Sequence, residues 1–222
     1  MRGNFGTQNH LDWTEVTSDE TGAVLHESLE WKNEHSEPTF REQRSIDARV
    51  FPNANCWRLH LRFQIQNVSG KTLRLGTFES EEGLQGSHYT GLFFRLHREF
   101  LGKGEWEPVG SFLADGNRGL EKIHGKPAPW MASVGSHDNS DSETTLICCD
   151  NPRNPHFPTH WFYRPDMPCI ALPFVGESAV ILNPEETLDL RYDFIIANGI
   201  QDLESAQKLV ENCIFPEQTP SA

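Results

Sequence analysis

Residues 57–66 have the sequence WRLHLRFQIQ, in which apolar and polar side chains alternate without a break. Successive side chains of a β-strand point to opposite faces, so Leu59, Leu61 and Phe63 share one face, and Arg58 and His60 belong to the other. The alternation therefore predicts a strand with one face in the core and one in water. The turn-forming sequence NVSGK at residues 67–71 ends it.

The same alternation occurs elsewhere in the chain. It is clear at residues 188–196 and 46–50, and weaker strands are predicted at 24–31, 73–79, 91–96, 130–134, 144–148 and 160–163. One helix is predicted, with Asp202 as its N-cap, an apolar stripe from Leu203 to Cys213, and Pro216 as its stop. Strands do not alternate with helices. The sequence therefore predicts an all-β fold, a mostly antiparallel β-sandwich with one C-terminal α-helix.

Length and composition limit the class of protein. The chain has 222 residues, which predicts a single domain over residues 1–216 and a frayed tail at 217–222. Lys and Arg number 19 against 32 Asp and Glu, a formal charge of −13 that argues against a nucleic-acid partner. The apolar runs are far shorter than the roughly 20 residues that cross a bilayer, which argues against a membrane protein.

An N-terminus without an apolar run and five irregularly spaced cysteines predict reduced thiols and a cytoplasmic location. The oligomeric state is left open.

A first group of chemically versatile residues lies at 77–95, TFESEEGLQGSHYTGLFFR. Glu79 and His88 are the candidate catalytic residues, because an acid–base pair needs two titratable groups in different surroundings. Tyr89 and Arg95 are candidate substrate-binding residues, and the guanidinium suits a carboxylate or a sugar hydroxyl. In the alternative interpretation the glutamates at 81 and 82 lie on a solvated turn and Arg95 pairs with one of them.

A second group lies at 150–164, DNPRNPHFPTHWFYR, where three prolines stiffen a loop that carries histidines, arginines and aromatic residues. His156, Trp161 and Arg164 are candidate substrate-binding residues, since aromatic faces beside hydrogen-bonding groups suit a sugar ring. His156 and His160 could bind a metal together with Asp150, but the prolines preclude the helical spacing that such pairs use. No metal ion or other cofactor is predicted, and a purely structural proline loop is the alternative.

Two further candidate substrate-binding residues stand apart from these groups. Trp130 follows the sequence KPAP and belongs either to the core or to a ligand platform. His10 precedes Asp12 and Trp13 and either lines a pocket or caps the first strand. The sequence leaves both pairs of alternatives open.

Several motifs together resemble one uncharacterised microbial family, catalogued as "methane oxygenase PmoA-like". They are Gly6-Thr7-Gln8-Asn9-His10-x-x-Trp13, Gly86-x-x-Tyr89-x-Gly91-Leu92-Phe93-Phe94-Arg95, Ala128-Pro129-Trp130, Asn154-Pro155-x-x-Pro158-x-x-Trp161-Phe162-x-Arg164 and Pro184-x-Glu186-Thr187-Leu188-x-Leu190-Arg191-Tyr192. The resemblance implies a domain of unknown function with a β-sandwich similar to that of galactose mutarotases. Members often lie beside sugar-type oxidoreductases, which implies a carbohydrate-related role. They usually carry a further His-rich stretch before the His10 motif, so this chain is expected to lack an N-terminal segment.

The sequence thus favours a protein that acts on, or binds, a carbohydrate or another small polar metabolite, with isomerase-, epimerase- or hydrolase-like acid–base chemistry. The alternative is a carbohydrate-binding module without catalysis. A second alternative, suggested by the family's inherited name, is a metal-dependent oxygenase that uses His88, His156 and His160. The expected partner is a sugar-like small molecule.

Overall fold

The computed structural model describes residues 5–76, 88–100, 110–138, 140–176 and 178–214. Its strands are β1 Thr7–Asp19, β2 Gly22–Lys32, β3 Pro38–Phe51, β4 Cys56–Asn67, β5 Leu73–Leu75, β6 Leu92–Arg95, β7 Phe112–Leu113, β8 Trp130–Ser136, β9 Glu143–Asp150, β10 Phe162–Arg164, β11 Cys169–Leu172, β12 Val180–Leu182 and β13 Thr187–Asn198. Its α-helices are α1 Leu120–Ile123 and α2 Leu203–Ile214, and short 3-10 turns cover Pro52–Ala54 and Arg98–Phe100. Of the helices in these ranges, none is both long and apolar enough to span a membrane.

An eight-stranded sheet forms the centre of the molecule, in the order β1-β2-β3-β4-β13-β9-β8-β7. The four N-terminal strands form a meander, and β13, from the far end of the chain, pairs with both β4 and β9. Each strand pairing in the described ranges is antiparallel. The register places Leu190 opposite Phe63 and Tyr192 opposite Leu61, so the two best alternating stretches of the sequence share one apolar face.

The sheet is covered on both faces where β13, β9 and β8 lie. Phe194 and Cys148 belong to a core shared with the two small sheets, β6-β11-β10 and β5-β12. Ile195 and Ile147, their chain neighbours, belong to a second core on the opposite face, against α2. The structure confirms the predicted all-β, mostly antiparallel sandwich with a C-terminal helix.

Strand β1 is exposed along its whole length and, in the described ranges, is the one long strand that the alternation did not predict. Its register with β2 shifts twice, between His10 and Asp12 and between Trp13 and Glu15. Each shift inserts a residue that breaks the period of two, which explains why the sequence pattern is not recognisable.

Three short strands, β7, β11 and β12, and the one-turn helix α1 were also not predicted. All four residues of β11 are buried, so its sequence is a continuous apolar run that does not alternate. The predicted strand at 73–79 is described only for Leu73–Leu75, because residues 77–87 lie outside the described ranges.

The predicted helix is present as α2, and Asp202 caps it as expected, accepting a hydrogen bond from the Ser205 amide at 2.8 Å. The predicted stop at Pro216 and the tail at 217–222 lie outside the described residues.

Candidate functional site

The proline-rich loop between β9 and β10 is held by a single half-buried carboxylate. Asp150 accepts hydrogen bonds from the Asn154 side-chain amide at 2.7 Å and from the Thr159 main-chain amide at 2.9 Å. Burial raises the pKa of the Asp150 carboxyl, although these hydrogen bonds and one from the Asn151 amide act in the opposite direction. Both oxygens of this carboxylate are engaged within the loop, so Asp150 anchors the loop and does not face a ligand.

Asn154 ties the same loop to the central sheet. Its side-chain amide also donates to the Arg191 carbonyl at 2.7 Å, and its side-chain oxygen accepts from the Arg191 amide at 2.8 Å. At the far end of the loop the Thr159 hydroxyl donates to the Pro173 carbonyl at 2.7 Å. These bonds fix both ends of the loop, so the side chains that it presents are held in place before any ligand arrives.

A cleft of about 540 Å³ opens beside this loop and is lined by three imidazoles. His156 and His160 come from the loop itself, and His88 comes from the segment before β6. The remaining wall consists of small and apolar residues, among them Pro127, Phe157, Pro158, Pro173 and Val175. The cleft is within the size range of small-molecule binding sites, with few polar groups set in a largely apolar wall.

A row of six aromatic rings leads from the protein surface into the cleft. Successive ring centroids are 5.0 to 5.7 Å apart along Phe93, Tyr89, Phe162, His124, His88 and His160. Tyr89 and Phe93, at the outer end, are 54% and 39% exposed. The row offers ring faces and edges outside the cleft and hydrogen-bonding imidazoles within it.

His88 lies directly against the main chain of Gly125. A Cβ atom added to Gly125 would be 2.7 Å from His88 Nε2, which is closer than such atoms approach, and the φ of Gly125 is +69°. The Gly125 amide donates to the Trp161 carbonyl at 2.8 Å, which fixes this stretch of main chain. The neighbouring His124 is fixed as well, since its Nδ1 lies 3.1 Å from the Tyr163 carbonyl oxygen and 3.2 Å from the Tyr163 amide nitrogen.

The chemistry open to the cleft is hydrogen bonding and proton transfer. A neutral imidazole both donates and accepts, and histidine is the most common general acid or base in enzymes. In the described part of the chain, no group of three or more His, Cys, Asp or Glu side chains is arranged to hold a metal ion.

The structure brings together only some of the residues predicted from the sequence. His88 and His156 meet in the cleft, and Tyr89 belongs to the ring row. Arg164 forms a two-pronged ion pair with Asp166, and neither it nor the exposed Arg95 lines the cleft. Glu79 lies outside the described residues.

The two predicted tryptophans are core residues, which corrects the expectation that Trp161 contacts a ligand and agrees with the first of the two alternatives for Trp130. Trp161 is fully buried and its indole N–H donates to the Ala128 carbonyl at 3.0 Å. Trp130 is 3% exposed, faces α2 and donates to Gln207 at 3.1 Å. Neither indole face can reach a ligand in the cleft, because each packs within the protein.

His10 lies far along the large sheet, on β1, where its Nδ1 is 2.9 Å from the Glu27 carboxylate. A strand cap does not fit this position, since His10 sits within β1 and pairs across to β2, and His10 is not among the residues that line the cleft. The sequence pattern did not indicate His124 and Phe162, which complete the ring row. Their contacts join segments that are far apart in the sequence, so only Gly125, next to His124, indicated a close approach.

Comparisons with known proteins give one result. A family described as "Family of unknown function (DUF6807)" matches residues 2–211. Neither the comparison with curated proteins nor the comparison with solved structures gives a significant match.

Proposed function

The chain belongs to the family of unknown function DUF6807, and from the geometry of its cleft we propose that it binds a carbohydrate or a small polar metabolite of similar chemistry. The observation that carries the proposal is the row of six rings that joins the exposed Tyr89 to the imidazole cleft. The C–H face of a sugar stacks on aromatic rings while its hydroxyls need donors and acceptors nearby. The row and the cleft supply these two surfaces side by side.

In its catalytic form the protein moves a proton on the bound molecule, as isomerases, epimerases and hydrolases do. His88 is the proposed proton-transfer group, because its ring touches those of His124 and His160 and lies in the cleft wall. One imidazole removes a proton from a carbon or a hydroxyl, and an imidazolium returns one to the product, so the charge of the site is unchanged over the reaction. Glu79 stays a predicted partner of His88.

The cysteines support placing this function in the cytoplasm. All five are free thiols, and all five are buried. Free thiols are typical of proteins that work in a reducing compartment.

Two other functions stay as alternatives with their own observations. A binding module without catalysis has the same cleft and ring row but no turnover. A metal-dependent oxygenase, as the name "PmoA-like" suggests, would use His88, His156 and His160, which line one cleft but, among the described residues, are not arranged to hold a metal ion.

Calorimetric titration of the full chain with neutral monosaccharides, keto-sugars and sugar acids tests the proposal. We expect a member of this panel to bind, and His160→Ala to weaken its binding about tenfold, since a buried hydrogen bond to a ligand contributes about 1 kcal/mol or more. His35→Ala is the matched control: this imidazole is 73% exposed and lies outside the cleft, so its loss should leave the affinity unchanged. Equal losses in both variants would contradict the cleft as the binding site.

Substitution of His88 separates the enzyme from the binding module. His88→Gln keeps a hydrogen-bonding side chain and removes the titratable ring, so the enzyme would lose turnover while its substrate affinity stays within about tenfold. A binding module would show no turnover before the substitution. Elemental analysis of the purified protein tests the oxygenase alternative. An oxygenase would contain a stoichiometric metal ion, and the His160→Ala variant would no longer hold it.

A further inference from the structure

A second cavity, of about 160 Å³, lies between the large sheet and the segments that cover it near β6. It is separate from the imidazole cleft and shares no lining residue with it. Gln8, Trp31 and Arg44 line one part, and Tyr192 lines another. The rest of its wall is apolar and includes Phe63 and Phe174.

A buried carboxylate fixes the polar side of this cavity. Glu42 is fully buried and accepts three hydrogen bonds, from Arg44 Nε at 2.7 Å, Trp31 Nε1 at 2.7 Å and Gln8 Nε2 at 3.1 Å. Glu27, which is 7% exposed, accepts from Arg44 Nη1 at 3.1 Å and lies 2.9 Å from His10. Buried carboxylates are stable only when paired in this way, so the network holds the guanidinium of Arg44 in one orientation.

Arg44 keeps donors available after these bonds. A guanidinium has five N–H groups, and Arg44 uses Nε and Nη1 for the two glutamates. No hydrogen bond to another described residue uses Nη2. Since Arg44 lines the cavity, a ligand oxygen can accept from it there.

The Tyr192 hydroxyl is a second observation, independent of Arg44, that favours a ligand in this cavity. Tyr192 is 1% exposed, lines the same cavity, and its hydroxyl has no hydrogen-bond partner among the described residues. A buried hydroxyl left unpaired costs about 1–3 kcal/mol, so native proteins rarely leave one without a role. A ligand oxygen or amide in the cavity would satisfy it.

Charge and size define the chemical class of the ligand. Arg44 is paired with two glutamates, and the three side chains together carry a formal charge of −1, so an anion gains nothing there. The apolar part of the wall favours a ligand with an apolar body, and a cavity of about 150 Å³ accommodates a molecule the size of benzene. We propose that this cavity binds a neutral, ring-sized molecule with one or two oxygen atoms, such as a phenol or a cyclic ketone, through Tyr192 and Arg44.

Calorimetric titration of the full chain with phenol, cyclohexanone, benzoate and benzylamine tests this proposal. We expect phenol and cyclohexanone to bind, and benzoate and benzylamine to bind at least tenfold more weakly. Tyr192→Phe should weaken cyclohexanone binding about five- to tenfold, the effect of one lost hydrogen bond. It should not lower the free energy of unfolding, since the hydroxyl has no partner among the residues that the structure describes.

Three further variants make the result decisive. Tyr163→Phe removes another buried tyrosine hydroxyl, outside this cavity, and should leave the affinity within twofold. Leu92→Phe narrows the cavity and should abolish binding. His160→Ala changes only the imidazole cleft and should have no effect. Absence of binding by both neutral rings, tighter binding of an ion, or equal effects of Tyr192→Phe and Tyr163→Phe would each overturn the proposal.

Discussion

Gly125 and Gly70 have almost the same backbone conformation, with φ of +69° and +71°, but only one of them has a side chain against it. A Cβ atom at Gly70 would meet nothing within 4 Å, whereas one at Gly125 would be 2.7 Å from His88 Nε2. Alanine substitutions at these two positions therefore separate the effect of the backbone conformation from the effect of displacing the His88 imidazole.

At the residue scale we predict that Gly125→Ala moves His88 out of place. Both Gly125→Ala and Gly70→Ala should lower the free energy of unfolding by about 1–2 kcal/mol, the cost of a left-handed conformation for a residue with a Cβ. Only Gly125→Ala should also weaken ligand binding in the imidazole cleft. Urea unfolding and calorimetric titration measure the two effects. Equal affinities in both variants would show that His88 does not contact the ligand.

At the scale of elements, charged side chains connect neighbouring strands on the outer face of the sheet. Asp189 on β13 accepts two hydrogen bonds from Arg62 on β4, at 2.9 and 2.8 Å, and two from Arg191, at 3.4 and 2.9 Å. Arg62 is the main cause that lowers the pKa of Asp189 from 3.8 to about 2, and Arg191 adds to it. Because the folded pKa lies below the unfolded one, the ionised carboxylate stabilises the fold above about pH 4. This stabilisation is lost as the pH falls towards 2.

We therefore predict that Asp189→Asn lowers the free energy of unfolding at pH 7 by about 1 kcal/mol. The value is reduced for solvent screening, since the Asp189 side chain is 34% exposed. The difference between the variant and the original protein should shrink as the pH falls from 4 to 2 and vanish below pH 2, where the Asp189 carboxyl is neutral in the folded protein too. Urea unfolding at a series of pH values measures it, with the exposed Asp141→Asn as control. A difference that persists unchanged at pH 2 would contradict an ionic origin.

At the scale of the whole molecule, the five cysteines report on the integrity of both cores. Cys148 belongs to the core between the sheets, and Cys149 belongs to the core under α2. Cys56 and Cys213 join β4 to α2, with their sulfur atoms 3.8 Å apart. Burial, followed by the neighbouring Cys213, raises the pKa of the Cys56 thiol to about 12. Thiolates are the reactive form, so these side chains are inert while the fold is closed.

We predict that a thiol reagent at pH 8 labels none of the five cysteines rapidly in the folded protein and all five after unfolding. The labelling rate should rise with urea in parallel with global unfolding, because each thiol is buried in one of the packed layers or between them. Ser140→Cys adds a thiol at an exposed position and should react at once, as a control for the reagent. Rapid labelling of Cys213 alone would show that α2 detaches before the sheet opens.

The sequence by itself determined the strands β3, β4 and β13 and the helix α2, because an element with one buried face repeats its apolar side chains with its own period. It predicted β2, β8 and β9 as weaker strands, and β8 and β9 are mostly buried on both faces, so their apolar side chains alternate less clearly. It also predicted His88 and His156, because titratable side chains occur there in glycine-rich and proline-rich segments, and the structure places both in the wall of one cleft. Only the tertiary structure decided that Trp130 and Trp161 are core residues, that His124 and Phe162 link Tyr89 to the cleft, and that Glu42 is buried beside Arg44. Burial and contact between distant segments depend on strand order and register, and a local pattern of side chains does not contain either of these.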